Sequence, residues 1–297
     1  MKKILAAILF LTSAHHIPAA SAPSLPWKLA AQLGGLAYMI VPNILSLYHA
    51  RHEDYKPLAV REIVPFIDEQ LRQHGFNPAS VKLFYRRGDQ INAAATLGGN
   101  LIIDGGLANQ IYEGIKNNPD PTTNPALGEA AMTIAHECGH LKGYHCAASN
   151  IFSILSIPAL WLGYNKLISK GEEYLKTKIN NSMENGVLKT TLSWLNEATA
   201  FALPFAATWA THRVLFMTLA RWQEYRADTY ALTHAPSPLA LCASAAFFSD
   251  PSKQAYWSQM SLFAYLWRAD HPTNLSRANR ALAYAQKMLK AQAAAAA

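Results

Sequence analysis

His136-Glu137-Cys138-Gly139-His140 sets two imidazoles four residues apart. On an α-helix that spacing is about one turn, so both rings leave the same face, close enough to hold one tetrahedral zinc ion. Glu137 then stands beside the metal, placed to take a proton from the attacking water rather than to act as a ligand. Cys138 lies two residues from each histidine, points away from both, and belongs with the core. A catalytic zinc takes a third protein ligand and keeps one position open. The best candidate is Glu224 in Glu224-Tyr225-Arg226-Ala227-Asp228. Asp228 follows one turn later on the same face, where it can accept a hydrogen bond from the far nitrogen of a ligand imidazole and fix its tautomer. The same spacing also fits a solvated acidic face shared with Arg221 and Arg226, and spacing alone leaves both readings open.

These side chains need rigid elements to hold them. Asn124 is suited to cap a helix and Pro125 to its first turn, while Ala130, Ala131, Ile134, Cys138 and Leu141 supply a buried face. Earlier, Val60, Ile63, Val64, Ile67 and Leu71 form a helical stripe, with Pro65 marking a kink or a late start. Residues 81–86 alternate loosely, 92–96 and 101–104 are short apolar runs, and Gly98-Gly99 between them is a turn signal. Further helices are expected at 236–248, 254–268 and 272–290, and the alanine-rich 291–297 as a disordered tail. The fold class expected is α+β, mostly helical, with a small antiparallel sheet and inserted hydrophobic helices.

Composition narrows the function. The 297 residues carry 26 Lys+Arg against 19 Asp+Glu, a net charge of +7, and only 15% are charged. Soluble domains average about 25%, so a disordered, highly solvated chain is excluded. The positive charges are scattered and no nucleic-acid motif occurs, which argues against a nucleic-acid partner. Three cysteines, Cys138, Cys146 and Cys242, make neither a disulfide framework nor a cysteine-only metal site.

The apolar surplus is concentrated. Residues 1–22 read as a signal peptide or N-terminal anchor, with Lys2-Lys3, a short apolar run and Ala20-Ser21-Ala22. Residues 29–50, within a hydrophobic segment at 23–55, and residues 143–165 contain no Asp, Glu, Lys or Arg, and 198–220 only Arg213. Each is long enough to span a bilayer, although Pro42, Pro158 and Pro204 weaken straight spanning helices, and burial in a large helical core is the alternative. Contact with membrane lipid is expected. Lysines between the second and third stretches and basic residues after the first pull the orientation in opposite directions.

Taken together, these motifs resemble the membrane zinc endopeptidases that include HtpX and the CAAX prenyl proteases. That family carries an H-E-x-x-H helix, hydrophobic segments and then a Glu-x-x-x-Asp helix, which match here at His136 to His140 and Glu224 to Asp228. Asn92-Ala93-Ala94-Ala95 before Gly98-Gly99 is similar to the family's Asn-Ala strand, which borders the substrate cleft. His271-Pro272 with Arg277 six residues on is similar to its late His-Pro segment. The likeness covers roughly residues 59–290. It departs at Ala94-Ala95, where a bulkier residue is common, and at the N-terminus, where paired spans are replaced by the signal-like segment.

The resemblance implies a zincin-like domain at 56–290 holding one zinc ion per chain on His136, His140 and Glu224. It implies Glu137 as general base, with His271 and Arg277 holding the developing oxyanion or orienting Asp228. Asn92, Ala93 and Ala94 would contact an extended substrate adding to the sheet edge. The implied activity is hydrolysis of peptide bonds in membrane or envelope proteins, in quality control at a bacterial inner membrane or periplasm. Two alternatives are a non-proteolytic membrane scaffold or chaperone retaining the zinc site, and a dedicated CAAX-type processing protease. A scaffold needs no general base and usually closes the fourth metal position.

Overall fold

The computed structural model describes residues 34, 35, 37, 40, 41, 56–58, 60–184, 186–251, 260, 261 and 271–296. The signal-like segment, most of the first hydrophobic stretch and the helix expected at 254–268 lie outside them. Among the described residues the chain forms two compact units, one drawn from 47–150 and 214–297, the other from 1–46 and 151–213.

In the first unit, Val64–Gln73 forms helix α1 with Pro65 in its first turn, so the proline marks a late start rather than a kink. The strands are β1 (Lys56–Pro57), β2 (Leu83–Arg86), β3 (Ala93–Ala95) and β4 (Leu101–Asp104), in the order β1-β2-β4-β3. A wholly antiparallel sheet was the expectation, and the sheet is mixed: β3 and β4 pair antiparallel through the Gly98-Gly99 turn, while β2 and β4 are parallel. The reason is burial. Leu101, Ile102, Ile103 and Asp104 are all buried, so β4 takes the middle of the sheet and the alanines of β3 are left at its edge.

Helix α2 (Gly105–Asn117) leads to α3 (Pro125–Lys142), which starts as its sequence requires: the Asn124 side chain accepts hydrogen bonds from the N–H groups of Ala126 and Leu127. Two buried clusters meet on α3. Leu127, Ala130, Ile134 and Cys138 pack with Ile67, Leu71, Leu101, Ile103 and Leu107, while Met132 and Ala135 pack with Ala231, Leu241, Ala281 and Ala285 from later helices. A helix buried on two sides is held against both rotation and translation, which suits one that must present catalytic side chains.

The next helices are α4 (His145–Ser182) and α5 (Val187–Thr233), followed by α6 (Pro238–Ser249) and α7 (Asn274–Ala296). The hydrophobic stretches at 143–165 and 198–220 fall in α4 and α5, and Pro158 and Pro204 lie inside continuous helices. Within the second unit, Tyr164 Oη lies 2.8 Å from Thr211 Oγ1, Ser156 Oγ 3.0 Å from His212 Nδ1, and Trp161 packs on Phe205. Among the described residues α4 alone is long and apolar enough to cross a membrane. The disordered tail expected at 291–297 is corrected: α7 continues to Ala296, because alanine has the highest helix propensity.

Candidate metal centre

Helix α3 presents His136 and His140 side by side, their Nε2 atoms 3.1 Å apart. Glu224 of α5 closes a triangle with them, one carboxylate oxygen 3.2 Å from His136 Nε2 and the other 3.2 Å from His140 Nε2. Donor atoms bound to one tetrahedral zinc at about 2.0 Å stand about 3.3 Å from each other, so the spacing fits such an ion. The chemistry of the donors fits as well. His136 Nδ1 lies 2.9 Å from Asp228 Oδ1, and His140 Nδ1 lies 2.9 Å from His145 Nδ1. With a proton on Nδ1 of each imidazole, both Nε2 lone pairs converge with a carboxylate, an arrangement that calls for a cation.

The electrostatics agree. Burial opposes charge on His136, yet the neighbouring Asp228 and Glu224 carboxylates outweigh this and push its pKa up to about 10. Burial raises the Glu224 pKa, but the neighbouring His136, His140 and His271 imidazoles dominate and hold it well below the usual carboxylate range. Asp228 is likewise lowered by His136 and Arg277 against the cost of burial. Two carboxylates that favour a proton on His136 also favour a metal dication at its Nε2.

The α3–α5 contact that brings these groups together depends on Gly139. A β-carbon there would stand 2.9 Å from Ala227 Cα and 3.1 Å from Tyr230 Cβ, so only glycine lets α5 come close enough for the Glu224 carboxylate to reach the imidazoles. Its place inside the H-E-x-x-H segment is the signal in the sequence that points to it.

Glu137 points to the sheet. Its Oε2 accepts a 2.6 Å hydrogen bond from the Ala95 N–H, and its Oε1 lies 4.0 Å from His136 Nε2. Burial raises the Glu137 pKa, with the neighbouring histidines and the Ala95 bond working against that rise. The edge strand is more specific than Asn92-Ala93-Ala94. The Asp104 N–H bonds the Asn92 C=O and the Thr96 N–H bonds the Asn100 C=O, so by alternation Asn92, Ala94 and Thr96 face β4. The main-chain groups turned to the free edge are those of Ala93 and Ala95. Ala95 already serves the site, its C=O accepting from Cys146 Sγ at 3.4 Å.

His271 and Arg277 separate in their contacts. Arg277 Nη2 bonds Asp228 Oδ1 at 2.6 Å and its guanidinium lies over Phe248, so it orients the carboxylate behind His136. His271 Nδ1 lies 2.7 Å from Glu224 Oε2. Arg280 adds a third basic group, 3.8 Å from Asp228 Oδ2.

His145 was not anticipated. Five residues after His140, it does not share a face with it on an unbroken helix. The chain breaks at Gly143-Tyr144, where Tyr144 has φ 50°, a left-handed conformation that costs a side-chain-bearing residue about 1–2 kcal/mol. The break turns His145 back onto His140. Gly143 leaves room for it, since a β-carbon there would collide with the ring. The buried His145 is fixed in turn by Gln223, whose Nε2 bonds the His145 C=O at 3.2 Å and whose Oε1 accepts from Ser149 Oγ at 2.8 Å.

Compared with known proteins, the sequence matches peptidase family M48 over residues 58–285. Among curated proteins none matches. Among solved structures the chain is similar to the crystal structure of S. mikatae Ste24p, with 17% identity, covering 95% of this chain and 67% of that one, at a TM-score of 0.48. With the family match spanning most of its length, the chain belongs to peptidase family M48, whose members are zinc metalloproteases.

Proposed function

We propose that the protein is a zinc-dependent endopeptidase that cleaves membrane or envelope proteins, with His136, His140 and Glu224 as the zinc ligands. The observation that carries this reading is the convergence of those three side chains, with Glu137 beside them and bonded to an edge strand. Bound there, zinc supplies Lewis acidity toward water and the scissile carbonyl.

The chain's own groups do the rest. Glu137 takes the proton from the attacking water and returns it to the leaving amine, and its bond to Ala95 holds the carboxylate between the ligands and the sheet edge. An extended substrate adds to the edge of β3 at Ala93, the Ala95 main chain being engaged by Glu137 and Cys146, and main-chain pairing there gives recognition with little dependence on side chains. Asp228, held by Arg277, keeps the His136 proton on Nδ1. His271 steadies Glu224 through its Nδ1 contact with Oε2 and serves to meet charge developing on the substrate.

Membrane attachment rests on α4. Ile151, Leu155 and Leu162 are each more than half exposed along an apolar helix, which suits contact with lipid chains.

The test uses the full chain purified in detergent. One zinc per chain, casein cleavage stopped by chelator and restored by zinc, and loss of the metal in Glu224→Ala are the expected results. Glu224→Ala protein that keeps one zinc per chain removes Glu224 from the ligand set, and cleavage indifferent to chelator removes the metallopeptidase mechanism.

A further inference from the structure

Beside the metal centre lies a cavity of about 560 Å³ that the reaction does not use. It shares Ala95 and His140 with the centre, and its walls include Phe76, Val81, Leu97 and Tyr144. Its volume is in the range of small-ligand sites, so any single side chain fits. It lies along the Ala95–Gly99 side of the edge strand. Side chains of an added strand alternate between its two faces, so a residue close to the scissile bond is the one that meets this cavity.

The cavity has a sign. Among the described residues no Asp or Glu lines it, and Lys142 does. Among the described residues Lys142 forms no ion pair. Its ammonium stands 5.1 Å from the centre of the Tyr230 ring and 6.0 Å from that of Phe76, and 3.8 Å from where a side chain on Gly75 would begin. The aromatic faces hold the cation in place without cancelling its charge. Lys142 is exposed, and Ser80, Thr96 and Cys146 line the cavity beside its apolar groups, so a mixed wall carrying one ammonium complements a short stem ending in a carboxylate and repels a second cation.

We propose that this cavity receives an acidic side chain of the substrate next to the scissile bond, and that Lys142 is the specificity-determining residue that selects it. The proposal rests on the peptidase reading above and adds the substrate class.

The experiment takes zinc-loaded full chain in detergent, maps its cuts in casein by mass spectrometry, and builds quenched-fluorescent peptides on one cut site. The peptides differ only in carrying Glu, Gln or Lys at the residue on either side of the scissile bond. At one of the two positions wild type is expected to favour Glu over Lys by about tenfold in kcat/KM. Lys142→Gln should flatten that preference, and Lys142→Glu should invert it. Chelator-sensitive cleavage by wild type with no Glu-over-Lys preference at either position overturns the proposal and leaves the peptidase reading standing. So does a preference that persists undiminished in Lys142→Gln. Absence of chelator-sensitive cleavage in wild type overturns the peptidase reading, and the proposal with it.

Discussion

The Glu137 carboxylate accepts a 2.6 Å hydrogen bond from the main-chain N–H of Ala95, joining the H-E-x-x-H helix to the edge strand across 42 residues of sequence. The contact ties the group proposed to move the proton to the strand proposed to hold the peptide. A shift of either element misaligns base and substrate together.

Replacing the base isolates its chemistry. Glu137→Gln keeps an oxygen that accepts the Ala95 N–H, so zinc content and thermal stability should stay near wild type. Casein cleavage should fall roughly a hundred- to ten-thousand-fold. Full activity in this variant would falsify the role given to Glu137.

His145 stands directly behind His140. Its Nδ1 lies 2.9 Å from the corresponding nitrogen of His140, and the ring is buried. His145→Leu removes the acceptor and should weaken zinc binding about ten- to a hundredfold, as loss of a partner behind a ligand histidine commonly does. Competition with a chromophoric chelator measures this directly, and an unchanged dissociation constant would show that His145 only fills space.

Gly139→Ala separates helix propensity from packing. Within a helix the change ordinarily stabilises by up to about 1 kcal/mol. Here the added methyl stands 2.9 Å from Ala227 Cα, so α5 must retreat and carry Glu224 with it. The expected outcome is a lower melting temperature and zinc affinity reduced at least about tenfold. A variant more stable than wild type, with full zinc affinity, would show that the helices do not need this contact.

Stability should also depend on His74, away from the metal. Burial first, then the nearby His234 and Lys142, lower its pKa from 6.5 to about 4. Between those values the unfolded chain binds a proton that the folded chain excludes. Stability therefore falls as pH drops from about 6.5 towards 4, by up to about 3 kcal/mol from this group. His74→Gln does not titrate and can still meet the Tyr230 hydroxyl, which lies 3.3 Å from His74 Nδ1. Denaturation of both proteins at pH 7.5 and 5 should show the variant losing less stability, and equal losses would rule the buried imidazole out as the cause.

Much of the arrangement was legible because it is local. The helical period alone puts His136 and His140 on one face and Asp228 one turn beyond Glu224. Asn124 and Pro125 mark the start of α3 through groups within three residues of each other. Other features depend on distant chain. Ala95 rather than Ala94 turns its main chain to the open edge because the pairing of β3 with β4 fixes which residues alternate outward. His145 returns to His140 because of one left-handed residue, Tyr144, which no periodicity reveals.

The sequence by itself determined the chemistry available: two imidazoles and a base on one helix, a second helix bearing two carboxylates, and apolar stretches of spanning length. Short-range geometry and composition encode these, and both can be read along the chain. Only the tertiary structure decided that Glu224 meets the imidazoles across a contact of Gly139 with Ala227, that Arg277 serves Asp228 while His271 serves Glu224, and that β4 occupies the middle of a mixed sheet. Those outcomes follow from close packing among elements far apart in sequence, where which surfaces are buried together selects the partners.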